Sequence, residues 1–186
     1  MLVIRPHTPG KPLTLDIDAR TLCGDTVSVR VSHSGYSLSY TPVGSAHWRD
    51  FPMSEAAQDA LAGVRPGAFI LLALQDDRPV GIAVAAFSRT NWCEVLDLRV
   101  DTSCRLQGIG RMLLDACVRA AERENMAGLR MTVSDGNPAM CQFAEHCGFR
   151  LEGIDRLYFA MSPEEKLKPL MRRACALFFY LQKEKH

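Results

Sequence analysis

Residues 95–110 decide the fold. Val95-Leu96-Asp97-Leu98-Arg99-Val100 is an apolar run of strand length, and Arg105-Leu106-Gln107-Gly108-Ile109-Gly110 follows it as a glycine turn. The stretch Arg111 to Asn125 then reads as an amphipathic helix, with Leu114, Cys117 or Val118, and Ala121 on one stripe. Arg111, Asp115, Arg119, Glu122 and Arg123 fall on its wet side. A strand that feeds a glycine turn and a helix start makes an anion site. The first N–H groups of a helix have no partner inside it, and the dipole puts partial positive charge there. Glycines let that backbone come close to a phosphate, and Arg105 adds a fixed charge. By itself the turn also fits an ordinary capped connection.

Outward from this stretch the chain reads as alternating elements. Upstream, Phe69–Gln75 and Val80–Phe87 are strands joined by the turn Asp76-Asp77-Arg78-Pro79, short enough to require antiparallel pairing. Trp92–Val100 is a third strand. Downstream, Gly128 ends the helix, and Leu129–Ser134 is a strand that the helical crossover places as a parallel neighbour. Asp135-Gly136-Asn137-Pro138 leads into another helix that stops at Gly148, and Phe149–Ala160 reads as extended. Ser162-Pro-Glu-Glu165 looks like a capping box for a short helical excursion, which Pro169 would limit. The last apolar run, about 174–181, reads as a strand covered on both faces, with a helix as the alternative.

The first third is less regular. Four prolines and glycines before Leu13 predict an irregular lead-in, and Leu13, Leu15 and Ile17 alternate as a short edge strand would. Val27, Val29 and Val31, the turn Ser34-Gly35, and Tyr36, Leu38 and Tyr40 predict a hairpin. Pro42 to Pro52 reads as a loop, and Ser54 caps a helix from Glu55 to about Ala62.

Composition narrows the function. The chain has 186 residues and a net charge of +1, so no basic excess points to nucleic acid. No apolar run reaches membrane-spanning length, and Met1 to His7 lacks a signal-peptide layout. Seven cysteines with no Cys-x-x-Cys pair predict reduced thiols in a cytoplasmic protein, and no metal site. A dinucleotide fold would need a third glycine where Leu113 stands, although Asp135 could imitate its ribose acid. The antiparallel strands before the turn also speak against it.

Residues 69–149 resemble the GNAT superfamily of acyl-CoA-dependent N-acetyltransferases. The resemblance rests on Leu98-Arg99-Val100, Arg105-x-x-Gly108-x-Gly110, Asn137 before a helix, and Cys147-Gly148-Phe149. It implies an α/β (α+β) fold, a mixed and mostly antiparallel central sheet with helices on both faces. One domain of residues 1–186 is expected, its cofactor core at about 69–161. It implies acetyl-CoA as the cosubstrate, held by Leu98, Val100, Arg105, Gln107, Gly108, Gly110, Arg111 and Asn137. Gly35-Tyr36, Trp48-Arg49-Asp50, Gly153-Ile154-Asp155 and Ala176 to Tyr180 resemble the streptothricin acetyltransferases more narrowly. That resemblance implies a small-molecule amine as acceptor. A peptide or protein amine, and a non-catalytic acyl-CoA-binding module, remain alternatives, and a homodimer stays open.

An ammonium group cannot attack a thioester, so its proton must be accepted and the carbonyl polarised. Glu94 and Asp97 are the candidate bases, and three residues of spacing predicts opposite faces of the strand. Asp50 and Asp155 are candidate carboxylates for a cationic substrate. Many GNAT enzymes carry a tyrosine where Ala144 stands here. His146 is predicted to face water instead. Tyr158 and Tyr180 are the remaining candidate donors of a proton to the departing thiolate.

Overall fold

The computed structural model describes residues 1–159 and 174–182. In chain order the elements are β1 (Leu2–His7), β2 (Thr21–Ser32), β3 (Gly35–Arg49), α1 (Glu55–Leu61), β4 (Ala68–Gln75), β5 (Arg78–Phe87), β6 (Cys93–Val100), α2 (Ile109–Arg123), β7 (Gly128–Ser134), α3 (Pro138–His146), β8 (Arg150–Asp155) and β9 (Ala176–Gln182). The chain forms two compact units. Among the described residues, one comprises 1–20, 50–130 and 182, and the other 21–49, 131–159 and 174–181.

The first unit is built on strands β1, β4, β5 and β6, paired antiparallel in that order. The β4–β5 connection is a two-residue hairpin. Asp76 and Asp77 both take positive φ, the conformation that matches the strand twist in such turns. Helices cover both faces. Ala57 and Ala60 of α1 pack with Ile70, Leu72, Ile82 and Val84. On the other face, a side chain at Gly81 would meet Ile109 and Leu113 of α2, so the helix lies directly against β5. Ile82, Leu113 and Leu114 are fully buried, each worth about 1.5–3 kcal/mol against exposure.

The second unit holds the β2–β3 hairpin and strands β7, β9 and β8 in that order, with β8 and β9 antiparallel. Phe179 and Leu177 on β9 are fully buried, which settles the final apolar run as strand. Tyr40 donates to Glu145 of α3 at 2.5 Å, and Arg49 donates to the Gly136 carbonyl at 3.0 Å. These bonds tie the hairpin to both ends of α3.

Several expectations need correction. The edge strand of the lead-in is Leu2–His7; Pro6 is tolerated there because β1 pairs on one side only. Leu13, Leu15 and Ile17 form no strand and instead pack on the α1 cluster. The β3 strand runs through Pro42 to Arg49, against the expected loop. Pro42 sits opposite Asp25, where the register shifts and a missing N–H does little harm. Pro79 likewise lies within β5 at a register shift. Helix α2 starts at Ile109, two residues early, and is closed by Asn125 in the left-handed region rather than by Gly128. The extended run after Gly148 ends at Asp155. The capping box at 162–165 lies outside the described residues.

Candidate functional site

In the first unit the residues singled out for the cofactor lie along the end of β6, the connection and the start of α2. The connection begins with one 3-10 turn, Thr102–Cys104, capped by Asp101, whose side chain accepts from Ser103 N–H at 2.9 Å. Arg105 is half-buried, and its Nε donates to the carbonyl of Val100 at 3.1 Å. Burial pushes its guanidinium down, while Asp18 and Asp101 nearby oppose the change. Leu106 and Gly108 both take positive φ, 59° and 80°. Gln107 and Gly108 are exposed.

Gly108 is the N-cap of α2. It has no side chain to offer, and no acid occupies the first turn. The other two helices are capped by side chains, Ser54 accepting from Ala57 N–H and Asn137 from Met140 N–H. An N-terminus left without a capping oxygen and reached through exposed glycine suits an incoming anion. The first N–H groups of a helix have no partner within it. The residues therefore fit the pyrophosphate of coenzyme A.

The candidate bases do not stand free. Glu94 accepts from Arg65 at 3.0 Å through one oxygen and from Arg130 through the other. Asp97 is held by Arg99 in a two-pronged pair, at 2.7 and 2.9 Å. Arg99 also donates to the Phe51 carbonyl at 3.0 Å. Burial pushes the Asp97 carboxyl above its ordinary range, and the Arg99 guanidinium only partly offsets this. Asp50 is exposed and lies near enough to Arg99 and Arg20 to favour their charge.

The expected opposite facing of Glu94 and Asp97 is corrected by a bulge. Glu94 pairs with Ala86 and Asp97 with Val84, two residues apart on β5, because the register shifts between Val84 and Ala85. The extra residue restores both acids to one face, the α1 side. Arg99, opposite Ile82, shares that face. Residue type and i+2 spacing could have signalled the Asp97–Arg99 pair. Arg65 and Arg130 reach Glu94 from distant segments and left no local trace.

In the second unit Asn137 caps α3, accepting from Met140 N–H at 3.1 Å. Asp135, the imagined ribose acid, is used internally. It accepts from Cys175 N–H at 2.9 Å, and its own N–H bonds the Cys175 carbonyl. Asp155 accepts from the N–H groups of Leu157 and Tyr158 at 2.7 and 3.1 Å and so shapes its own turn. Tyr158 is exposed and meets Phe178 edge-on at 5.8 Å between centroids. Tyr180 is partly buried, opposite Arg150. Ala144 is fully buried, and His146 is exposed with Nδ1 2.7 Å from the Gln142 carbonyl. Among the described residues no group of three His, Cys, Asp or Glu could hold a metal, and no helix is long and apolar enough to cross a membrane.

Comparison with known proteins bears on this arrangement. Among curated proteins none matches. A candidate streptothricin acetyltransferase of Bacillus anthracis str. Ames, solved with acetyl coenzyme A, superposes with a TM-score of 0.77 at 22% identity, over 99% of this chain and 98% of that one. A nourseothricin acetyltransferase superposes at 0.74 with 19% identity, over 97% and 98%. The ribosomal-protein-S18-alanine N-acetyltransferase of Escherichia coli gives 0.56 at 21% identity, over 73% and 81%. At these identities the likeness is one of fold. The family model described as Acetyltransferase (GNAT) family matches residues 36–149, taking in the glycine turn, Asn137 and Gly148-Phe149. The chain belongs to the GNAT family and is an N-acetyltransferase whose acetyl donor is acetyl-CoA.

Proposed function

We propose that this enzyme acetylates a small cationic amine, with the β-lysine amine of a streptothricin-type antibiotic as the first acceptor to test. The observation that carries the reading is the extent of the match. The two streptothricin-class relatives cover 99% and 97% of the chain, and the protein-alanine enzyme only 73%. The exposed carboxylate of Asp50 beside the Asp97–Arg99 pair supports a cationic acceptor. We take residues 1–186 as one domain, a reading supported by a family match at 36–149 that includes parts of both units. The free cysteines suit a reducing cytoplasm.

In the first unit Leu98, Val100, Arg105, Gln107, Gly108, Gly110 and Arg111 would hold coenzyme A; Asn137, in the second, is a candidate by family resemblance alone. Asp97 is the preferred proton acceptor over Glu94. Glu94 is met by two separate guanidiniums, whereas Asp97 is paired with one. A carboxyl raised by burial also lies nearer the pH at which an amine loses its proton.

The experiment is turnover of acetyl-CoA with free-thiol detection against streptothricin, aminoglycosides, polyamines and peptide N-termini. Streptothricin should be the best acceptor, and its kcat should rise with pH as the amine and Asp97 lose protons. A preference for peptide N-termini would turn the reading to a protein amine. Asp97→Asn should lower kcat about 100-fold or more with acetyl-CoA affinity intact. Full activity in that variant would remove Asp97 from catalysis. Asp50→Asn should instead raise KM for the amine.

Coenzyme A thiolate is a fair leaving group, since a free thiol titrates at about 8.5. Buried Ala144 therefore does not prevent turnover. Of the two hydroxyls, Tyr180 is the one to test first, because Tyr158 is exposed in a turn. Tyr180→Phe should lower kcat by about 10-fold if it protonates the thiolate. An unchanged kcat in both Tyr→Phe variants would leave water as the donor.

A further inference from the structure

Residues 12–20 have no regular structure, yet they are held at both ends of their run. Leu13, Leu15 and Ile17 pack on the α1 cluster. Asp18 then meets the first two residues of the connection after β6. Its N–H donates to Asp101 Oδ2 at 3.1 Å, and its carbonyl accepts from Thr102 N–H at 2.9 Å. Its carboxylate accepts from the Thr102 hydroxyl at 3.3 Å. We propose that this segment braces the pyrophosphate turn, with Asp18 as a positioning residue for acetyl-CoA. The proposal rests on the reading that Arg105 to Gly110 take the pyrophosphate.

The turn needs such a brace. Between Val100 and α2 the backbone leaves the sheet, and fully exposed Leu106 gives it no packing. What fixes its course is a short set of bonds. Asp101 N–H donates to the Val80 carbonyl at 2.9 Å, and Asp18 supplies the three bonds above. Asp101 links the two halves. One oxygen takes Asp18 N–H, and the other takes the N–H and hydroxyl of Ser103 at 2.9 and 2.6 Å. The direction in which Arg105 and the α2 N-terminus face follows from where Asp101 and Thr102 are held.

Charge gives a second argument. A bare carboxylate near Arg105 would repel a pyrophosphate. Asp18 is instead gripped by Arg20 through two bonds, 2.9 and 2.8 Å. The bonds from Arg20, first the side chain and then the backbone, hold its carboxyl well below the usual range. The pair stays ionised at working pH but adds no net charge. It can orient the loop without opposing the ligand.

The test compares Asp18→Ala, Asp18→Asn and Gly110→Glu by steady-state kinetics, melting and calorimetric affinity for coenzyme A alone. Asp18→Ala should raise KM for acetyl-CoA and Kd for coenzyme A about 10-fold, the size of one charged hydrogen bond, with kcat within about two-fold. Asp18→Asn keeps an oxygen for Thr102 and should recover most of that loss. The brace is overturned if Asp18→Ala leaves KM and Kd unchanged. It is equally overturned if both Asp18 variants melt early and lose kcat and KM in parallel, as a merely structural role would require. Gly110→Glu separates this from the parent reading. If it too leaves affinity unchanged, the turn is not the pyrophosphate site; if it alone abolishes binding, only the brace fails.

Discussion

Gly110→Glu is expected to weaken acetyl-CoA binding by about 100-fold or more while leaving the fold intact. Gly110 stands in the first turn of α2, which carries no acid of its own. A glutamate there favours the helix, since negative charge near an N-terminus contributes about 0.3–1 kcal/mol. The same carboxylate occupies the place of a phosphate oxygen and repels the rest. Losing one charged hydrogen bond removes about 1.5–3 kcal/mol, and repulsion adds to it. Calorimetry with coenzyme A, beside an unchanged or raised melting temperature, checks both halves. Retained affinity would show that the anion site lies elsewhere.

The second large effect is on stability. Arg99→Leu leaves part-buried Asp97 without its guanidinium and the Phe51 carbonyl without its Arg99 donor. Breaking one side of a fully buried pair lowers stability by about 3–5 kcal/mol, and for this part-buried pair the low end, about 3 kcal/mol, is expected. For a chain of this length that is a drop of about 10 °C in Tm. The pH dependence carries the diagnosis. In the folded chain the Asp97 carboxyl is raised by burial above the ordinary aspartate value of about 3.9. The folded state thus holds more protons than the unfolded one between those two values. Its contribution to stability is complete below the unfolded value and is lost as pH rises through the folded one. Without Arg99 the folded value rises further and the window widens towards neutrality. Melts of Arg99→Leu at pH 5 and pH 7.5 should therefore show the variant recovering part of its deficit in acid. A deficit that does not change with pH would mean that lost packing, not the stranded carboxylate, is responsible.

What the sequence made legible depends on whether local pattern and tertiary pairing agreed. β4 to α2 obeyed both. Apolar alternation ended at Asp76-Asp77 and at the glycine turn, and the sheet and α2 follow those marks. α3 was readable from Asn137-Pro138 at one end and Gly148 at the other. Prolines misled. Pro6 and Pro42 argued against strands, yet one lies on an edge and the other beside an irregularity. Leu13 to Ile17 kept a strand pattern without a strand, because their burial comes from α1. The sides of Glu94 and Asp97 were misread for a different reason. Counting by two fails across a bulge, and nothing around Leu96 announces one. The cofactor turn was visible as a motif. The guanidiniums that occupy the two acids were not, since Arg65 and Arg130 meet Glu94 only after folding.

The cysteines have a practical consequence. Five of the seven are buried, and only Cys104 and Cys175 reach the intermediate range. Burial pushes Cys93 and Cys141 up to about 12, so neither offers much thiolate near neutrality. A chromogenic disulfide reagent should find the native enzyme nearly silent, with two slow sulfurs at most. Each turnover meanwhile releases a coenzyme A thiol that the reagent captures at once. The same chromophore in denaturant should count seven. One reagent thus follows catalysis in the folded protein against a low baseline, and unfolding in the same cuvette.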